Sequence, residues 1–157
     1  MKSEGLTLEI PGKEAQIFTD LFLDYTGTLS LDGILLEGIK ERLVRLSDSI
    51  RITICTADTF GTAREQLEKL PVSVHVIHTG KDKAKLVRNA GGERIIAIGN
   101  GRNDIPMLEM SGLSIAVIGP EGAAGDLLRV ADIVVTDIRA ALDLLIHPIR
   151  LKATLRD

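Results

Sequence analysis

The sequence predicts an α/β fold, a doubly wound parallel sheet with helices on both faces. Short apolar runs alternate along the chain with segments of helical periodicity, the pattern of successive β–α units. Several of those runs end abruptly in Asp, Thr, Gly or Asn, as at Asp24, Thr56 and Gly99. In an open parallel sheet, ligands bind just beyond the carboxyl ends of the strands, where such residues would stand. The 157 residues suffice for one domain, 1–157, with a sizeable core, and are too few for two.

In chain order, Leu6, Leu8 and Ile10 alternate with polar residues and predict a half-buried strand. Pro11-Gly12-Lys13 turns the chain back towards Phe18, so residues 1–17 read as an N-terminal hairpin extension. Phe18 to Leu23 is a buried strand that stops at Asp24, with Gly27 allowing a sharp turn behind it. Asp32-Gly33 between apolar neighbours predicts a hairpin. Glu37 to Asp48 reads as a helix with Ile39, Leu43 and Leu46 inward, followed by a strand over Arg51 to Cys55. Further helices are expected over Gly61 to Leu70, Lys81 to Ala90, Ile105 to Met110, Gly122 to Val130, and Ile138 to Ile146. Strands are expected over Val72 to Ile77, Arg94 to Ile98, Leu113 to Ile118 and Ile133 to Val135. Pro148 closes the last helix, and residues 150–157 read as a solvated basic tail in which Leu151 and Leu155 are available for docking.

Bulk properties exclude several classes. A net charge of −3 and a pI near 5.6 leave no basic footprint for nucleic acid. The longest apolar stretches fall far short of the roughly 20 residues a membrane span needs. Met1 to Gly5 leads into no long apolar segment, so no secretory signal is expected. The single cysteine, Cys55, excludes an internal disulfide framework. A soluble, cytoplasmic protein is the expectation. His75, His78 and His147 have no accompanying ligand cluster and are given no role.

Four stretches carry chemistry. They are Asp24-Tyr25-Thr26-Gly27-Thr28-Leu29, Thr56-Ala57-Asp58, Lys83-Ala84-Lys85-Leu86-Val87, and Gly99-Asn100-Gly101-Arg102-Asn103-Asp104-Ile105-Pro106. In this order they resemble the motifs of the haloacid dehalogenase (HAD) superfamily. The first and last are most similar to Asp-Lys-Thr-Gly-Thr-Leu and Gly-Asp-Gly-x-Asn-Asp-Ala-Pro of the P-type ATPases. A dinucleotide loop fits the last stretch less well, because Asp104 stands where a pyrophosphate would meet the helix start. The resemblance implies a HAD-like, Rossmann-like core with a flap hairpin after the first core strand. Between Thr28 and Arg51 there is room for that flap and one helix only, so no cap domain is expected and the chain is no pump.

The resemblance further implies a phosphohydrolase or phosphotransferase working through an aspartyl-phosphate on Asp24. Lys83 would offset charge on the phosphoryl group, and Thr56, Ala57 and Asn103 would bind its oxygens. Asp24, Thr26, Asn100 and Asp104 would hold Mg²⁺, which suits an all-oxygen site. Two residues depart from the pattern. Thr26 stands where HAD phosphatases carry an acid–base Asp, so hydrolysis is expected to be slow. Asn100 replaces the first Asp of the last motif, so Mg²⁺ binding is expected to be weak. The substrate would be a phosphorylated small molecule or a phosphoprotein, and a homo-oligomer neighbour or the substrate itself would cover the uncapped site. The rival reading is a phosphate-sensing or partner-binding module that keeps the fold with little turnover. A response-regulator receiver ranks third, because its extra acidic pair near the first strand is missing.

Overall fold

The computed structural model describes residues 4–157. The first three residues of the expected extension lie outside the described residues. β1 (Leu6–Leu8) and β2 (Gln16–Phe18) pair antiparallel, with Leu6 opposite Phe18. Leu8 and Phe18 alternate inward and are fully buried in the core, while Ile17 faces out. Phe18 therefore belongs to the hairpin and not to the strand that ends at Asp24. The break falls at Thr19, whose N–H donates to Arg94 O at 2.9 Å and whose carbonyl accepts from Arg51 N at 3.1 Å. The core strand is β3 (Asp20–Asp24), buried at every position.

The flap follows as β4 (Ser30–Leu31) and β5 (Ile34–Leu35), joined by Asp32 and Gly33 at φ 51° and 82°. Two successive positive φ values make the tight turn that matches strand twist, and Asp-Gly is the pair that tolerates it. Then come α1 (Ile39–Ser47), β6 (Arg51–Thr56), α2 (Ala63–Leu67) and β7 (Ser73–Val76). α3 (Gly80–Asn89) is capped by Thr79, whose side chain accepts from Asp82 N at 3.2 Å. β8 (Ile95–Gly99) leads through a single 3₁₀ turn at Arg102–Asp104 into α4 (Ile105–Met110). β9 (Leu113–Val117), α5 (Leu127–Val130), β10 (Ile133–Val135), α6 (Ile138–Ile146) and α7 (Pro148–Leu155) complete the chain.

Three expectations need correction. The helix expected from Gly122 begins only at Leu127, because Gly119 pairs with Gly122 and Ala124 N bonds Asn100 O at 2.8 Å. The helix expected over Gly61 to Leu70 is confined to Ala63–Leu67, since Gly61 N turns back onto Asp58 O at 2.9 Å. The basic tail is a helix, α7, and not a solvated end. Pro148 does close α6, but it also opens α7, where a missing N–H breaks no bond. Leu151 is fully buried against the core, and Lys152 pairs with Glu9 of the N-terminal hairpin at 2.6 Å.

The six long-range strands run in the order β10-β9-β8-β3-β6-β7, every neighbouring pair parallel. From β3 the chain builds outward through β6 to β7, then crosses back to β8 on the other side. The strand order thus reverses between β3 and β8, which places a ligand crevice at their carboxyl ends. One face of the sheet, with Leu21, Leu23, Ile52 and Ile98, packs on Ile39, Leu43 and Leu142 of α1 and α6. The other, with Phe22, Cys55 and Ala97, packs on Val87, Met107 and Leu127 of α3, α4 and α5. Strand alternation puts Asp24 on the same side as Phe22, towards α3.

Arg42 on α1 grips Asp143 on α6 through two bonds of 2.8 and 3.2 Å. Hydrogen bonding to Arg42 holds the Asp143 carboxyl below its ordinary value. Arg42→Ala is expected to cost about 1 kcal/mol, the upper range for a half-buried bidentate pair. The contribution is present above the unfolded carboxylate pKa, about 3.9, and fades as pH falls through the lower folded value. Urea unfolding of both proteins at neutral and acid pH checks this; a gap that persists in acid contradicts it.

Candidate active site

The site is built at the reversal point from the ends of β3, β6 and β8 and the start of α3. Lys83 lies on the sheet-facing side of α3, with Val87 one turn on, and is 1% exposed. Lys81 and Lys85 face solvent. The Lys83 Nζ donates to Asp24 Oδ1 at 2.8 Å and to Asp104 Oδ1 at 2.6 Å, so three charges from distant parts of the chain meet below the surface. Each is satisfied again on its other side. Thr28 Oγ1 donates to Asp24 Oδ2 at 3.0 Å, and Asp104 Oδ2 accepts from Asn100 N at 3.2 Å and Gly101 N at 3.0 Å.

Two carboxylates and one ammonium leave the cluster with an excess of one negative charge when all are ionised. Burial pushes the Asp24 carboxyl up to about 7 and Asp104 adds to the push, while Lys83 and Thr28 pull against both. Burial also works against the ammonium of Lys83, but the two carboxylates outweigh it and hold its pKa above the ordinary lysine value. The arrangement keeps a cation against Asp24 and a charge deficit for a further cation to fill.

Asn100 is held in one orientation. Its Nδ2 donates to Gly122 O at 3.0 Å, which turns Oδ1 towards Thr28 Oγ1, 3.1 Å away. The Thr28 hydroxyl thus stands between the Asp24 carboxylate and the Asn100 amide oxygen. Gly27, at φ 76°, makes the approach feasible, because a Cβ there would lie 2.5 Å from Asn100 Nδ2. At Gly99 a Cβ would meet the Asp104 carboxyl at 2.5 Å, so the strand must end in glycine for that side chain to pass.

Above Asp24 opens a cavity of about 230 Å³, lined by Asp24, Thr26, Ala57, Thr59, Asn100, Gly101, Asn103 and Glu121. Five residues singled out in the sequence, Asp24, Thr26, Ala57, Asn100 and Asn103, therefore share one hollow. Lys83 and Asp104 sit beneath it. Thr56 is buried at the end of β6, where its hydroxyl oxygen accepts the Asp58 N–H at 2.8 Å. Asp58 holds φ 50° and takes the Ala63 N–H on Oδ1 at 3.0 Å, which folds the loop so that Ala57 and Thr59 reach the cavity. A larger hollow of about 780 Å³ lies at the amino ends of β3, β6 and β7, opposite the strand ends that carry this cluster. Its one buried carboxylate, Asp20, is already engaged by Arg51 at 2.8 Å and Thr19 at 2.7 Å.

Sequence reasoning assigned no role to Thr28, Gly101, Thr59 or Glu121. Thr28 stands within the first motif, four residues after Asp24, and Gly101 within the last. Thr59 follows a motif directly. Glu121 has no signal in the sequence; it reaches the cavity because the segment that follows it is tied to Asn100 through Gly122 O and Ala124 N.

The side chains that offer oxygen to the cavity are the carboxylates of Asp24 and Glu121, the amides of Asn100 and Asn103 and the hydroxyls of Thr26 and Thr59, all hard ligands. Among the described residues, no group of three or more His, Cys, Asp and Glu is placed to hold an ion. A set with few protein carboxylates fits a hard divalent cation that keeps several waters, and the excess negative charge beneath the floor favours one there.

A sequence profile of haloacid dehalogenase-like hydrolases matches residues 71–138. An uncharacterised protein of Methanocaldococcus jannaschii is 51% identical over 73 residues, 46% of this chain and 78% of that protein. Among solved structures, the cobalt-bound deoxy-D-mannose-octulosonate 8-phosphate phosphatase of Haemophilus influenzae superposes with a TM-score of 0.71 at 17% identity, covering 87% of this chain and 91% of its own. The Moraxella catarrhalis 3-deoxy-D-manno-octulosonate 8-phosphate phosphatase, solved with magnesium, phosphate and KDO, gives 0.63 at 16% identity, covering 87% and 90%. The match of residues 71–138 to that family, together with a strand order and helices on both faces that accord with it and no separate cap among the described residues, places the chain in the haloacid dehalogenase-like hydrolase superfamily.

Proposed function

We propose that residues 1–157 act as one domain, a magnesium-dependent phosphohydrolase in which Asp24 takes the phosphoryl group of a phosphate monoester. The observation that carries this reading is the convergence of Asp24, Lys83 and Asp104, 2.6–2.8 Å apart through one ammonium, under a cavity open to solvent. In the first step an Asp24 Oδ attacks phosphorus, the ester P–O bond breaks, and the leaving alkoxide takes a proton from water. In the second, water attacks phosphorus, the Asp24 O–P bond breaks, and inorganic phosphate departs with Asp24 restored. Lys83, fixed by Asp104, compensates charge on the transferring group without reorganising. Thr56, Ala57 and Asn103 bind the phosphoryl oxygens. Asp24, Thr26 and Asn100 would hold the magnesium, with Asp104 behind them; bound there, the ion would screen the repulsion between carboxylate and phosphate.

Thr26 lines the cavity but has no proton to exchange near neutral pH, so the second step is slow and limits turnover. Thr26→Asp is expected to raise turnover of an aryl phosphate by about 10²-fold. Steady-state assays in magnesium measure it, and unchanged or lower turnover by a folded variant refutes the account. The weaker magnesium binding expected of Asn100 is tested separately. Asn100→Asp is expected to lower the half-saturating magnesium concentration, and equal half-saturation contradicts the role given to Asn100. If the wild type binds beryllofluoride with magnesium but turns over no aryl phosphate, the phosphate-sensing alternative is the correct one.

A further inference from the structure

We propose that Glu121 selects the leaving group, favouring phosphate monoesters whose alcohol carries an ammonium over those that carry a second anion; this rests on the phosphohydrolase reading of the same cavity. Glu121 and Asp24 line one hollow of about 230 Å³, so a group that fills it while phosphorylating Asp24 meets the Glu121 carboxylate. Among the described residues, no Lys, Arg or His lines that hollow. Lys83 is covered by Asp24 and Asp104, and Arg102, next to Asn103, turns to Asp126 at 3.4 Å. A carboxylate or second phosphate on the leaving group would therefore face Glu121 with no cationic side chain to receive it, whereas an ammonium would be paired.

Glu121 is also held in place. The flap-tip N–H of Asp32 donates to Glu121 Oε2 at 3.3 Å. The segment that carries it is fixed by Asn100 Nδ2 on Gly122 O at 3.0 Å and by Ala124 N on Asn100 O at 2.8 Å. With no cap over the site among the described residues, this clasp between flap and loop is the wall that the leaving group passes. The solved relatives named above are phosphatases of an octulosonate, itself an acid, so the proposal sets this chain's preference apart from theirs.

The test uses three esters on one three-carbon frame, 3-aminopropyl, 3-hydroxypropyl and 2-carboxyethyl phosphate, with magnesium at low ionic strength. Calorimetry on the Asp24→Asn protein measures binding without turnover. The aminopropyl ester is expected to bind about tenfold more tightly than the carboxyethyl ester, one charge reversal near an exposed carboxylate. Adding Glu121→Gln should bring the three within about twofold, and Glu121→Lys should reverse the order. A ranking that does not change with residue 121, a uniform loss across all three, or no binding of any of them overturns the proposal. Turnover of an aryl phosphate by the wild type is scored separately and decides the phosphohydrolase reading alone.

Discussion

Asp24→Asn is expected to abolish hydrolysis, lowering turnover of an aryl phosphate at least about 10³-fold while the protein stays folded. An amide of the same size cannot attack phosphorus, so the covalent route closes. The fold should tolerate the change because the cluster starts with one negative charge too many. Removing the Asp24 charge relieves its repulsion from Asp104 and leaves Lys83 paired at 2.6 Å with Asp104. The Asn amide oxygen still accepts from a neighbour on one side. The urea midpoint of the variant should therefore equal or exceed that of the wild type. Activity within tenfold of wild type would exclude Asp24 as the nucleophile.

Lys83→Met is expected to fail in the opposite way, by losing stability as well as activity. The side chain is 1% exposed and its ammonium is the shared partner of two carboxylates that are themselves buried. A thioether of similar length fills the space, but it leaves Asp24 and Asp104 facing each other without a counter-charge. Breaking a buried ion pair from one side costs about 3–5 kcal/mol. Asp24 already takes up its proton at about 7 in the wild type, well above an unfolded carboxylate, and losing Lys83 raises that value further. The folded variant thus binds a proton at alkaline pH where neither its unfolded chain nor the wild type does, so the deficit should shrink as pH falls from the alkaline side towards about 7. Urea titrations of both proteins on either side of neutral pH measure it. A variant as stable as wild type at alkaline pH would show that the cluster is not the charge-balanced unit described above.

Much of the site could be read from the chain because its parts lie at strand ends, where a local pattern has a local cause. Leu21 to Leu23 is an apolar run buried on both faces, so Asp24, Tyr25 and Thr26 mark its end without further information. Gly99 to Asp104 is legible for the same reason. A motif match favours Lys83 over Lys81 and Lys85, and in α3 Lys83 is buried with Ala84 and Val87 while the other two lysines face solvent. What misled was local reading where a distant partner decides. Phe18 looks continuous with Leu21 but pairs with Leu6. Gly122 to Val130 has helical composition, yet bonds from Asn100 to Gly122 O and Ala124 N keep its first residues out of the helix.

Periodicity and strand-end chemistry by themselves determined the α/β class, the order of the elements, the flap and the residues that end each strand, because each of these follows from neighbours within a few positions. The tertiary structure alone decided that the basic tail docks as a helix through Leu151, that Thr28 stands between Asp24 and Asn100, and that Glu121 walls the cavity. Such contacts join distant residues: Thr28 and Asn100 are 72 positions apart, and Lys152 of the docked helix and Glu9 are 143 apart. They depend on where the strand order reverses, a property of the assembled sheet that no window of sequence contains.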